Sequence, residues 1–204
     1  MKRDYRLLFG PLAGIILAFG IGSLARLIPA YSHVHQTVSE IGEIGSPARV
    51  PFAIMLAGVG LCILIFAWAI RDLLAQGGGS QWAGYLIGCM AISATGVGVF
   101  AYPNPLHNLF GLSELIGYQA PLAMALTWRH DQRRQILIAI SWIFYALILV
   151  AIALNLASFV SSIWIYLKPY HGLLQRALFA AWFGWCALAG LLLYWRGRDT
   201  TQMW

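Results

Sequence analysis

Along the chain, apolar runs of about twenty residues alternate with short polar segments, the pattern of a polytopic membrane protein. Six such runs stand out, at Leu7–Ile28, Phe52–Ile70, Trp82–Tyr102, Leu106–Trp128, Ile136–Phe159 and Tyr170–Trp195. A hydrocarbon core about 30 Å thick takes about 20 helical residues at 1.5 Å each, so every run is read as a spanning helix. The fifth run has the composition to continue as far as Tyr166. The expected fold is all-α, a six-transmembrane-helix bundle forming one integral membrane domain over residues 1–204. The first run follows Lys2-Arg3 and imitates a secretion signal. It is too long for one and lacks a small-residue cleavage site, so it is expected to stay as a span.

Local signals punctuate the runs. Gly10 and Gly14 form a GxxxG, which lets another helix approach closely. Gly77-Gly78-Gly79-Ser80 reads as a flexible link between the second and third spans. Pro103 and Pro105 end the third span and impose an extended turn that re-aims the fourth. Pro169 interrupts the chain before the sixth.

Composition sharpens this picture. Hydrophobic residues make up 60% and charged residues 10%, against about 25% charged in soluble domains. Nine Trp and nine Tyr suit interfacial belts. The pI near 9.5 does not point to nucleic acid, because the basic residues lie at span ends. Membrane lipid is the expected partner, and nothing fixes an oligomeric state. Alternating the ends places nine cations on one side (Lys2, Arg3, Arg6, Arg71, Arg129, Arg133, Arg134, Arg196 and Arg198) and four on the other (Arg26, Arg49, Lys168 and Arg176). The positive-inside rule then predicts both termini in the cytoplasm, N-in and C-in, in the inner (plasma) membrane. The same partition sends Glu40, Glu43, Glu114, His33, His35, His107 and His171 to the outer half, while the aspartates and His130 stay inside. A site facing the periplasmic or extracellular side is expected. Cys62, Cys89 and Cys186 lie within apolar runs without a CxxC and read as small buried hydrophobes.

Chemistry concentrates in Phe100–Gln119. Glu114 lies about 12 Å into the fourth span at 1.5 Å per residue. An ionised group near the bilayer centre costs about 2.5–3.5 kcal/mol, so Glu114 is expected to face the interior beside a partner, Arg26 or Arg176. That pair either fixes helix register or lines a cavity. His107, Gly111 and Glu114 share one helical face, and His171 and Gln175 share another with Arg176 adjacent. His107 and His171 with a carboxylate would suit a divalent transition metal such as zinc with a position open for water, although no HExxH occurs. His33-Val34-His35 is a second, isolated pair of candidate ligands. Ser39 and Glu40 bring a hydroxyl and a carboxylate to the same mouth. Ser39 as a nucleophile would need His107 or His171 as base; the alternative is a loop hydroxyl capping a short helix, and Ser39 with Glu43 does not have capping-box spacing.

Three short elements, Ser39–Gly42 (SEIG), Phe100–His107 (FxxP with a downstream His) and Gly172–Arg176 (GxxxR), give the chain its resemblance to a prokaryotic six-span membrane family catalogued as domain of unknown function 998. The resemblance spans nearly the whole chain. It implies six helices with polar residues gathered at the outer leaflet and brings no established reaction. The PSGH of lipid-phosphate phosphatases and the GxSG of rhomboid proteases are absent. The leading expectation is a pocket that binds and hydrolyses an amphipathic or lipid-derived substrate. Its catalytic candidates are His107, Glu114, His171, Ser39 and Glu40, and its substrate-binding candidates are Arg26, Gln175, Arg176 and Tyr102. The alternative is a transporter subunit or lipid-binding scaffold with a structural Glu–Arg pair.

Overall fold

The computed structural model describes residues 4–157 and 160–196. Lys2, Arg3, Arg198 and the expected end of the fifth span at Phe159 lie outside that range. Eight α-helices are found among the described residues, with no strand: α1 Phe9–Leu24, α2 Arg49–Gln76, α3 Trp82–Val99, α4 Pro105–Gly117, α5 Ala120–Thr127, α6 Gln135–Leu156, α7 Ser161–Leu167 and α8 His171–Arg196. Single 3-10 turns extend several of them, at Tyr5–Leu8, Ala25–Leu27 and Lys168–Tyr170. Six segments are long and apolar enough to cross a membrane. The chain is a multi-pass integral membrane protein.

Two helices differ from their expected bounds for identifiable reasons. α2 starts at Arg49 and ends at Gln76, longer at both ends than Phe52–Ile70, because its polar ends extend past the apolar run. The fourth span is broken into α4 and α5 at Tyr118-Gln119. Pro121 has no N–H to donate to the carbonyl of Gly117, one turn earlier. That carbonyl instead accepts the indole N–H of Trp182 at 3.1 Å. The expected proline turn is present: Asn104 is extended (ψ 136°), its side chain accepts the Leu106 N–H, and Pro105 occupies the first helical position.

Neighbours in sequence are neighbours in space. α2 packs on α1 and α3, α3 on α4 and α5, α5 on α6, α6 on α8, and α8 closes a ring against α1. Apolar side chains fill this ring. Ile63, Phe66, Ile87, Trp182 and Trp185 have almost no exposure, whereas Ile15, Phe19, Ile54, Leu61 and Ile143 face outward, as lipid contact requires. Trp182 reaches across to Gly117, and Trp185 donates to the Ser141 hydroxyl at 3.0 Å. Each buried indole N–H is therefore satisfied.

The two ends of the bundle are built differently. At the end where α1 begins, Arg6 pairs with Asp4 (2.7 Å) and Asp72 (2.9 Å), and Arg134 pairs with Asp131 (2.9 Å). The other end, called distal below, carries the loops after α1, α3 and α6. The Ile44 N–H donates to the Tyr102 carbonyl (2.9 Å) and the Leu173 N–H to the Val34 carbonyl (3.1 Å), which ties these loops together.

α1 and α8 are closest near the start of α1. A Cβ on Gly190 would lie 2.4 Å from the Leu7 carbonyl, and one on Gly10 would lie 2.8 Å from the Cys186 carbonyl. Gly14 of the GxxxG faces Phe183 with ordinary contact at 3.5 Å. Gly190→Ala should therefore cost about 1–3 kcal/mol, as overpacking against backbone does. Gly88→Ala, where a Cβ meets nothing within 4 Å, should be neutral or stabilise by up to about 1 kcal/mol. Thermal midpoints in detergent check the pair, and equal midpoints would refute the close contact.

Candidate functional site

The long loop after α1 is held down by α8. The Arg176 guanidinium donates through one terminal nitrogen to the carbonyls of His33 (2.9 Å), Gln36 (2.8 Å) and Gly172 (2.8 Å), and through the other to the Tyr31 hydroxyl (2.6 Å). Tyr31 passes its own proton to the Thr37 carbonyl at 2.6 Å. Gly172 makes the approach possible, since a Cβ there would sit 2.1 Å from the Gln36 carbonyl oxygen. Gln175, the next residue on this face, accepts the Val38 N–H at 2.6 Å. The GxxxR element is thus a clamp on residues 33–38.

Beyond the clamp the chain makes one 3-10 turn, Ser39–Gly42. Glu40 accepts both the N–H and the hydroxyl of Thr37 at 2.9 Å. The capping pair is therefore Thr37 with Glu40, three residues apart, and not one involving Ser39 with Glu43. Ile41 is fully buried and anchors the turn in the core.

With Glu40 occupied in the turn and Ile41 buried, the Ser39 hydroxyl meets His107. Its Oγ lies 2.9 Å from Nε2 of His107, which is 5% exposed. Nδ1 of the same ring lies 2.8 Å from the Phe100 carbonyl and 3.1 Å from that of Val97. Carbonyl oxygens only accept, so Nδ1 carries the proton; in the neutral ring Nε2 then accepts from the Ser39 hydroxyl. Tyr102 stacks edge-on over the imidazole at 5.7 Å. The SEIG element and the FxxP-His element meet at this bond.

Ser39 also lines a small cavity together with Glu114, Tyr118, Leu17, Phe52, Val97 and Trp182 among others. Its volume of about 40 Å³ is room for about three waters. Glu114 accepts a hydrogen bond from the Tyr118 hydroxyl, one turn on, at 3.0 Å. The cavity walls are almost wholly apolar, with Ser39 and Glu114 among the residues that line it.

The family model "Protein of unknown function (DUF998)" matches residues 11–192. The chain belongs to this family. No curated protein and no solved structure matches. For the family member described here, all three short elements of the resemblance end at the distal site: SEIG supplies Ser39, FxxP-His supplies the imidazole and its acceptors, and GxxxR pins the loop.

The remaining candidates fall elsewhere. Among the described residues no ion pair includes Glu114. Arg176 faces the loop carbonyls and Arg26 is exposed beyond α1, so the expected Glu–Arg partnership does not form. His171 packs edge-on against Trp164 at 4.8 Å and is not drawn to His107. Among the described residues no group of three or more His, Cys, Asp or Glu is gathered for a metal, and both ring nitrogens of His107 are already bonded. His35 contacts the Pro169 carbonyl, and His33 packs on Tyr31 at 5.3 Å, so the HxH residues point to different partners. Residues not foreseen are Tyr118, which shares the proton-bearing contact with Glu114, and the carbonyls of Val97 and Phe100. The TxxE spacing was a usable signal for the turn; backbone carbonyls leave none.

Burial raises the Tyr31 hydroxyl above its ordinary value against the opposing charge of Arg176, which keeps it a donor to Thr37. His33 is exposed overall, and the partial desolvation of its ring against the loop, reinforced by Arg176, lowers it below the usual imidazole range. A folded-state pKa below the unfolded one disfavours the folded protein once the unfolded imidazole begins to protonate. That effect is absent well above about pH 6.5 and grows as pH falls through it. The thermal midpoint of the wild type should accordingly drop more than that of His33→Gln as pH goes from about 7 to about 5, and parallel curves would refute the desolvation argument. Arg176→Lys keeps the charge but cannot hold two loop carbonyls, Gly172 and Tyr31 in one planar fork. It should expose residues 31–38 to limited proteolysis while the six helices persist by circular dichroism.

Proposed function

We propose that the distal site is a membrane-embedded serine hydrolase centre that cleaves an acyl ester or amide of an amphipathic, lipid-derived substrate. The observation that carries this is the 2.9 Å contact of Ser39 Oγ with an imidazole whose far nitrogen is held by two backbone carbonyls. Ser39 is the nucleophile and His107 the base. The carbonyls of Phe100 and Val97 take the orienting part that a carboxylate plays in a triad, fixing the tautomer and the ring plane.

The reaction runs in two halves. Ser39 Oγ attacks the substrate carbonyl carbon while its proton passes to His107 Nε2. The bond to the leaving group breaks, and the leaving oxygen or nitrogen takes that proton from Nε2, which leaves an acyl-Ser39. A water then attacks the acyl carbon with His107 again taking the proton, and the acid departs as the proton returns to Ser39 Oγ. Glu114, held by Tyr118 in the same cavity, positions the water of this second half. Glu40 acts through the backbone by fixing the turn that presents Ser39, and Tyr102 shields the imidazole. The charge distribution along the sequence supports an outward, periplasmic or extracellular, orientation for the site.

A long-chain alkyl fluorophosphonate should modify Ser39, located by peptide mass spectrometry. Ser39→Ala and His107→Gln should each lower ester hydrolysis by at least about a thousandfold, as loss of one member of a coupled nucleophile–base pair does. Ser39→Ala leaves the buried Nε2 of His107 without its partner, at a cost of about 1–3 kcal/mol, so its thermal midpoint should fall by several degrees while the six helices persist by circular dichroism. Hydrolysis that survives Ser39→Ala, or a probe that never modifies Ser39, would sink the proposal.

A further inference from the structure

α1 and α8 touch where Gly10 and Gly190 allow it and part toward the distal end. Between them lies a groove of about 330 Å³, lined on α1 by Gly14, Leu17, Ala18, Ile21 and Gly22 and on α8 by Arg176, Phe179, Ala180 and Phe183. The two sets follow matching helical stripes, and Gly14 to Gly22 span about 12 Å at 1.5 Å per residue. Ala18 and Ala180 at its rim are exposed on the lipid-facing surface. The walls are apolar throughout except at the distal end, where Arg176 and His33 close it. There the Nε of Arg176 is buried and its N–H has no acceptor, although the four contacts of the terminal nitrogens are all made. An apolar trough headed by a buried cation with one unmatched donor is complementary to an acyl chain carrying an anionic head.

The groove also adjoins the Ser39 cavity. Leu17, Phe179 and Phe183 line both, so three side chains form the partition between lipid and nucleophile.

We infer that the α1–α8 groove seats one acyl chain of an acidic membrane lipid, with its headgroup at Arg176 and its chain against the Leu17–Phe179–Phe183 partition. That this lipid is also what Ser39 attacks rests on the hydrolase reading above.

The test uses the full chain in vesicles containing a phosphatidylglycerol with a diazirine in one acyl chain. Photocrosslinks should concentrate in residues 14–22 and 176–183. They should fall about tenfold in Ala18→Leu/Gly22→Leu, where added side chains occupy the trough, as small changes in an apolar pocket do. A Cβ on Gly22 meets nothing within 4 Å, so the first carbon added there displaces no neighbour, and the thermal midpoint of the variant checks that it folds. Ile92→Trp, on the outer face of α3, should leave the crosslinks unchanged. The matching phosphatidylcholine probe should crosslink less than the acidic one. Crosslinks spread evenly around the bundle, an absence of headgroup preference, or displacement of the probe by inorganic phosphate alone would each overturn the lipid seat. Crosslinks confined to the groove in a protein that shows no Ser39-dependent hydrolysis would uphold the seat and sink the hydrolase reading, so the two ideas fail separately.

Discussion

The distal loops depend on one constraint: close to hydrocarbon, a backbone carbonyl or amide must find its partner inside the protein. Residues 31–38 run without regular structure over the ends of α1 and α8, so their carbonyls have no helical donors. A single guanidinium answers for several of them, because its planar fork can serve the His33 and Gln36 carbonyls and Tyr31 together. Gly172 lets the loop lie close enough for this, and Gln175 satisfies the Val38 amide. The clamp acts together with buried Ile41 and the Thr37–Glu40 bonds to hold the turn that carries Ser39 over His107. Arg176, foreseen as a counter-ion for Glu114, instead organises the backbone that the site is made from.

His107 shows the same rule from the other side. The third span ends at the proline turn, which leaves the Val97 and Phe100 carbonyls without helical donors. Nδ1 of His107 supplies a donor to both. This contact satisfies the helix end and at the same time settles the tautomer, so that Nε2 must accept. A structural need of α3 thereby presents the acceptor nitrogen of the neutral imidazole to the Ser39 hydroxyl. Loss of either contact would alter both the fold and the chemistry.

What could be read from the sequence follows from which features are periodic. Six apolar runs and the proline turn depend on spacing alone, and six long apolar helical segments and the turn are present, with the bounds of the second and the continuity of the fourth changed. Ser39, His107, Glu114 and Tyr102 were recognisable as residue types able to do chemistry near one mouth, and the structure brings these four to one site. Their pairing was not legible. Ser39 had two candidate bases, and only the clamp geometry selects His107 over His171, which turns to Trp164. The break at Tyr118 was implicit in Pro121, yet the partner that tolerates it, Trp182, lies sixty-five positions away from Gly117. Carbonyl acceptors are invisible in a sequence, since every residue has one.

Ring closure gives the arrangement its directionality. α1 and α8 pack against each other without being consecutive helices of the chain. Gly10 and Gly190 draw their seam tight at one end, while at the other a groove lies between the helices, with His33 of the clamped loop in its lining. The distal opening lies beside the partition formed by Leu17, Phe179 and Phe183. On the hydrolase reading proposed above, the Ser39 nucleophile is separated from lipid by these three side chains. Such a position favours substrates that arrive from the bilayer plane over those that arrive from solution, because the apolar portion of the substrate never has to leave hydrocarbon to reach Ser39.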